Sequence, residues 1–422
     1  MNIPCFTKIA LLGIALFLWG KVPPPLFSQK LQSKKESSLA LDLLDITEIQ
    51  QKEARQFVRD LASVEFSVRE RAQQGLKAIG PGVLPILKEG LSTSDREVRF
   101  RLEQIQHSLG EEYFNVALLR FRQNKELPPG FEIPGWTKFQ EIAGSSEGSR
   151  SLYADLVDEK PELLKRAFSD SEKLGPLLTE ALTQAQAWQY VDASQPQEVV
   201  LTLLFLDCCL EGELPLQSAN QLQYFCNQPV MRKLFTETRK NEKDRTPRAT
   251  VVKKLFAHWL SKPAPPLCRH YRAVLAEQNG FHEAAVLHTV AFLENGTQQS
   301  IPQLVRAFRI LVQYSDLKKQ GQLMSKFLTD KRVCSSGVSR DNRKYNLSIQ
   351  VRDLALATLI VIHDQDFKEY GFLPLEKGEK FGDHLFLQKY GFEKNEQRVI
   401  ALEKWKVFAE SQTKNGIDKE GL

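Results

Sequence analysis

SVRERAQQGLKAIG (67–80) and EVRFRLEQIQHSLG (97–110) carry the reading of this chain. They align without a gap thirty residues apart and share Val68/Val98, Arg69/Arg99, Arg71/Arg101, Gln74/Gln104 and Gly80/Gly110. Val68, Ala72, Gly75, Leu76 and Ile79 fall on one helical face of the first stretch. Val98, Leu102, Ile105 and Leu109 repeat that face in the second, with Gln106 in place of Leu76. Ser67–Glu70 and Ser94–Glu97 have the S-x-x-E spacing of a capping box, in which each side chain meets a free backbone N–H at the helix start. Gly80-Pro81-Gly82 ends the first helix, since Gly reaches left-handed backbone angles and Pro cannot continue the hydrogen-bond ladder. A second helix, Val83 to Leu91, would bury Leu84, Leu87 and Leu91. Helix–turn–helix units recurring near thirty residues predict stacked helical repeats.

The Val-Arg pair that opens an amphipathic helix, followed by Ala or Leu and closed by Ile-Gly or Leu-Gly, resembles the HEAT-repeat pattern. The pair recurs at Val305-Arg306 and at Val351-Arg352, where Asp353 follows. With Pro134-Gly135-Trp136 and the elements VRDLALA (351–357) and KEYGF (368–372), the chain as a whole is similar to a family of exported bacterial proteins of uncharacterised function. The resemblance implies binding and scaffolding, and it carries over no catalytic residue.

Outward from this stretch the texture stays helical. Helices are expected to contain Val199–Leu210, Val251–Leu260, Ala284–Phe292 and Leu304–Val312. Pro161 and Pro302 suit first helical positions, where a missing N–H costs nothing, and Ser300 suits a cap. Val351, Leu354, Ala355, Thr358, Leu359 and Ile362 form the inward stripe of another helix. A last helix, Glu396–Glu410, would present Val399, Leu402, Trp405 and Val407. No alternating strand pattern stands out. The expected fold is therefore all-α: HEAT-like helical repeats in an irregular α-solenoid or a multi-helix bundle, with a loop-rich C-terminal region. Its expected divisions are a leader (1–28), an N-terminal helical domain (39–125), a Pro/Gly/Ser-rich linker (126–150), a helical repeat domain (151–335) and a C-terminal region (336–422) with a loop-rich insert and a frayed tail from Ser411.

The first residues read as an export signal. Lys8 supplies a positive start, Ile9–Trp19 an eleven-residue apolar run, and Pro23-Pro24-Pro25 an end to any helix. Spanning a bilayer needs about 20 apolar residues, so cleavage near Ser28 is the first reading and an uncleaved anchor over 9–20 the second. Export places the chain in the periplasm or cell envelope. Removing Lys8 and Lys21 with the leader takes the net charge from +5 to +3, and no basic stripe marks a nucleic-acid reader. Five cysteines then remain, Cys208, Cys209, Cys226, Cys268 and Cys334, so at least one lacks an intrachain partner. Without a C-x-x-C pair, no structural zinc, thioredoxin-type chemistry or haem is expected.

Three stretches mimic catalytic motifs. Gly144-Ser145-Ser146-Glu147-Gly148 fits G-x-S-x-G, but WTKFQEIA before it is no hydrophobic strand of the kind a nucleophile elbow needs. His282-Glu283 and His288 have the wrong spacing for a zinc helix, because six residues turn about 240°. His363, Asp364 and Asp366 offer three possible metal ligands just after a helix, where a capping role serves equally well. Trp136, the Arg352-Asp353 pair, and the turns Tyr370-Gly371-Phe372 and Tyr390-Gly391-Phe392 are the candidates for contacting a partner. The resulting expectation is an extracytoplasmic, non-catalytic interaction protein with a protein or polymer partner, no cofactor and no nucleic acid. Two alternatives stay open: a hydrolase or metal-dependent enzyme with a site near His363, Asp366 and His384, and a membrane-tethered assembly factor.

Overall fold

A computed structural model describes residues 42–128, 131–189, 196–238, 241, 243, 245–294, 299–340, 343–372 and 390–414. The chain is predominantly helical and divides into two compact units after Ala117. The leader, His384 and the part of the expected tail beyond Lys414 lie outside the described residues, whereas Ser411–Lys414, expected to fray, continue the last helix.

In the first unit α1 (Glu48–Asp60) begins at Thr47, whose hydroxyl accepts from Gln50 N–H while Gln50 Oε1 accepts from Thr47 N–H. Then come α2 (Phe66–Ile79), a 3-10 turn (Pro81–Val83) and α3 (Leu84–Gly90). The last helix, α4 (Arg96–Arg122), contains the division at Ala117. Ala72, Leu76, Leu84, Leu87, Val98, Leu102, Ile105 and Leu109 meet in one aliphatic core, the faces expected from the two aligned stretches. Gly75 lets Phe57 come close; a Cβ there would lie 2.5 Å from its ring.

Three local expectations fail here. Neither S-x-x-E pair forms a capping box: α2 starts at Phe66, so Ser67 is already inside it. At α4 the Asp95 carboxylate, one residue nearer the helix than Ser94, accepts from Glu97 and Val98 N–H. Gly80 does end α2, at φ +94°, whereas α4 continues through Gly110 to Arg122. Gly80 is followed by Pro-Gly and Gly110 by Glu-Glu; a lone helical glycine costs only about 1 kcal/mol, too little to stop a helix whose next turns pack well. The second stretch therefore does not repeat the turn of the first.

The second unit holds α5 (Trp136–Ala143), α6 (Glu147–Glu159), α7 (Pro161–Ser169), α8 (Leu174–Gln189), α9 (Gln197–Cys209), α10 (Leu216–Cys226), α11 (Pro229–Thr238) and α12 (Pro247–Ser261). It continues with α13 (Pro266–Gln278), α14 (His282–Glu294), α15 (Ile301–Tyr314), α16 (Gly321–Ser325), α17 (Val351–Ile362) and α18 (Asn395–Lys414). Two rows run through these helices. In one, α8, α10, α13, α15 and α17 each pack on the next; in the other, α6, α9, α12, α14 and α16 do so. The rows meet where α9 touches α8 and α10, α14 touches α13 and α15, and α16 touches α17. Pro161 stands first in α7, Pro302 second in α15, and Ser300 N–H donates to Gln303 Oε1 at the start of α15.

Residues 126–150, expected as a linker, include α5 and the start of α6. Trp136 and Phe139 share a face of α5, and Phe139 is wholly buried between Tyr153 (4.7 Å) and Phe205 (5.2 Å). Gly135 starts α5 in the left-handed region, against the ring of Phe168. The flanking Pro and Gly residues serve as punctuation around a short helix, and their density hid it.

Strands are present too. β1 (Val333–Arg340) and β2 (Arg343–Gln350) form an antiparallel hairpin with Val338 opposite Tyr345 and two irregularities in register. Tyr345, Leu347 and Ile349 do alternate with polar residues along β2, and Leu347 and Ile349 are buried. β1 is Ser- and Gly-rich and shows no matching alternation, so only half of the hairpin was visible. The expected boundary at 335/336 falls inside β1, and one hydrophobic core extends from Phe292 to Trp405 across it. α17 is central to that core. Besides the six residues expected to face inward, Leu356, Ala357 and Ile360 on its other sides are buried as well. On α18 the inward residues are Arg398, Ala401 and Trp405, whereas Val399 and Val407 are exposed. Val407 lies two positions from Trp405, on a different side of the helix.

Candidate functional site

The candidate partner-contacting residues mostly turn inward. Asp353 and Arg398 form a buried pair, with Nε–Oδ1 at 2.6 Å and Nη2–Oδ2 at 3.0 Å. Arg398 also donates to the Ser348 carbonyl, and Gln350 N–H donates to Asp353. Burial raises the Asp353 carboxyl pKa, against the pull of this guanidinium and backbone N–H. Arg352 donates to Gln350 Oε1 and Asn395 Oδ1. Together these bonds tie β2, α17 and the start of α18.

Tyr370, Phe372, Tyr390 and Phe392 are each at most 3% exposed, and the Phe372 and Phe392 rings meet at 4.7 Å, tilted by 40°. Ser348 and Phe392 exchange backbone hydrogen bonds, which draws the second Tyr-Gly-Phe turn onto the hairpin. These turns are core anchors and not surface. Their aromatic size suits either role, and the glycines fixed only the bend. Trp136 is half-buried against Phe121 at 4.7 Å.

The metal candidates are occupied with local work. His363 ends α17 and packs edge-on to Trp405 and Phe408. Asp364 takes a left-handed φ of 52°, and Asp366 caps the next turn through Lys368 N–H. Among the described residues no group of three His, Cys, Asp or Glu side chains comes together as a metal site. His282 stacks on Tyr314 and His288 meets the Leu260 carbonyl at 2.7 Å, so the two rings serve different helices. Ser146 caps α6, accepting from Ser149 N–H, with helix α5 before it in place of a strand. The five described cysteines are unbridged; Cys226 is fully buried, and burial pushes its thiol up to about 12.

Another interior polar hub escaped the sequence reading. Asp207 Oδ2 accepts from Trp259 Nε1 at 2.7 Å and from Arg272 at 3.3 Å. Arg272 lies 4.1 Å over the Trp259 ring and donates to the Trp259 carbonyl in the last turn of α12 and to the Lys262 and Pro263 carbonyls that follow it. Glu277 similarly binds Arg306 and Arg309 across α13 and α15.

Concave surfaces among the described residues include two near α8. One, of about 480 Å³, lies among α6–α9, with Leu163, Leu177 and Leu203 in its lining and Glu159, Arg166 and Glu180 among its charged groups. The other, of about 440 Å³, involves α8 and α10 and is lined by Gln186, Leu216, Gln217, Asn220, Gln221, Tyr224 and Phe225. No charged side chain lines it. Gln221 is 8% exposed; its amide donates to Gln186 Oε1, while its own Oε1 is buried without a hydrogen-bond partner. Leu216 (39% exposed) and Tyr224 (60%) on α10, and Leu267 (71%) and Tyr271 (55%) on the adjoining α13, offer large apolar surface to solvent. Four exposed large side chains on neighbouring helices are a surface suited to association. The available signal was a row of three amides and a tyrosine at helical spacing on α10, at Gln217, Asn220, Gln221 and Tyr224.

No protein-family model matches the chain, and neither curated proteins nor solved structures include one significantly similar to it.

Proposed function

We propose that this is an exported, non-catalytic interaction protein whose two helical rows form an irregular α-solenoid with HEAT-like repeats, holding a protein partner on an exposed row. The observation that carries this reading is the exposed side chains Leu216, Tyr224, Leu267 and Tyr271 on successive helices of one row, beside a groove. Each helix of such a row buries its inner face on neighbours and leaves its outer positions free for a ligand. The polar ties described above join helix to helix, which supports a scaffolding role for them. Export rests on the leader. No helix among the described residues is long and apolar enough to cross a membrane.

Photo-crosslinking amino acids at Tyr224 and Tyr271 of the full chain, in cells that produce it, test the reading. Both positions should capture the same discrete protein, whereas the exposed Ile400 on α18 should not. Equal or absent capture at all three positions would overturn it. Sequencing the mature N-terminus decides between release and a tether: a start near Gln29 removes the anchor.

A further inference from the structure

The groove beside α10 has a chemistry that narrows its ligand. Gln217, Asn220, Gln221 and Tyr224 stand at i, i+3, i+4 and i+7 and so share one helical face. Gln186 of α8 joins them, and Leu216 and Phe225 supply apolar lining. A carboxamide carries both donors and an acceptor, the same pair of functions as a peptide unit. A ligand with net charge would find no counter-ion in this lining and would lose hydration on entry.

Gln221 sharpens the point. An amide oxygen buried without a partner is costly, on the order of 1–3 kcal/mol; it is closed to solvent, so the Gln221 side chain would turn toward the groove for a ligand donor to meet it and recover that loss. Exchanging the oxygen and nitrogen of this amide moves the deficit to a donor without removing it. The exposed leucines separate two ligand classes. Sugars present hydroxyls and small CH faces, whereas Leu216 and Leu267 offer apolar surface that an aliphatic or aromatic side chain would cover.

Resting on the interaction reading above, we infer that this groove binds an extended, uncharged peptide segment of a protein partner. Its amides meet the segment's backbone, and the Leu216, Tyr224, Leu267 and Tyr271 surface takes its apolar side chains. Main-chain pairing supplies affinity and the flanking apolar surface supplies selectivity, as in other extended-peptide sites.

Selection of displayed random peptides against the full chain, followed by fluorescence anisotropy of the recovered sequences, tests this. Recovered peptides should have uncharged, apolar-containing centres. Gln217→Glu and Asn220→Asp, at exposed positions, should weaken them by at least about tenfold, a loss typical of an unmatched buried polar contact. Gln221→Leu should weaken them too, with melting temperature checked in parallel, and Ile400→Ser on α18 should leave binding unchanged.

Peptides insensitive to every groove substitution would overturn this site while leaving the interaction reading standing. Neutral oligosaccharides bound by the wild type and lost in Gln217→Glu would overturn the peptide class. If neither ligand binds, the inference fails, and the crosslinking at Tyr224 and Tyr271 judges the broader reading separately.

Discussion

Up to Ala117 the buried side chains are aliphatic and the ions stay outside; in the core between Phe292 and Trp405 an ion pair sits among aromatic rings. Among the described residues of the first unit no polar or charged side chain is buried, and Arg101 meets Glu70 and Glu97 in partly solvated pairs. In the later core Asp353 and Arg398 are shut off from water, with the Arg398 guanidinium 5.5 Å over the Phe392 ring. Packing between neighbouring helices suffices for the first arrangement. The second joins a hairpin, α17 and α18, and its hydrogen bonds demand one geometry from all three. A buried pair of this kind is weak evidence of net stability, because desolvation offsets the attraction; we assign it to specifying how the elements meet.

The largest effect should come from breaking that pair. Asp353→Ala strands the Arg398 cation and should cost about 3–5 kcal/mol in chemical denaturation, while Asp353→Leu with Arg398→Met should recover much of it. Arg101→Ala in the first unit, whose two glutamate partners stay open to solvent, should cost less, about 1 kcal/mol. Similar losses for Asp353→Ala and Arg101→Ala would erase the contrast.

Acid should sharpen it next. His288 is buried, its Nε2–H donates to the Leu260 carbonyl, and burial pushes its pKa from 6.5 down to about 4. The unfolded chain then takes up the proton first. Stability from this group is complete above about pH 6.5 and falls as pH drops toward about 4. Melting followed across that window should show the second unit weakening, and His288→Gln, which cannot titrate, should reduce the slope, the remainder coming from His270, which burial also holds at about 4. An unchanged slope in His288→Gln would remove His288 from the account.

The aligned glycines hold the smallest effect, at Gly110. Gly80→Ala places a side chain at φ +94°, ψ −168°, a region nearly confined to glycine, and should cost about 1–3 kcal/mol. Gly110→Ala, in open space within α4, should gain about 0.5–1 kcal/mol. Opposite signs in thermal melts would establish that only the first stretch ends in a turn; equal losses would restore the repeat.

The same contrast explains what could be read in advance. Val98, Leu102, Ile105 and Leu109 were legible because residues three and four apart share a helix face and the chain is predominantly helical. The start of α15 at Ser300 was legible for a similarly local reason. The β-hairpin was not, since β1 lacks alternation and its partner strand carries the signal alone. Caps at Ser67 and Ser94 failed because capping depends on the helix start to within one residue, which S-x-x-E spacing does not determine. The Tyr-Gly-Phe aromatics were legible as anchors of turns, but not their burial.

The helical class, the inward faces of α2, α4 and α17, and the stop at Gly80-Pro81-Gly82 follow from the sequence by itself, through interactions within a turn or two of backbone. Which polar groups are hidden and which stay open was decided only by tertiary structure. Asp353 and Arg398 are 45 residues apart, and Asp207 and Arg272 are 65 apart. Gln221 reaches Gln186 across 35 residues. No periodicity spans such distances, because whether a side chain meets a partner or solvent depends on how separate helices dock.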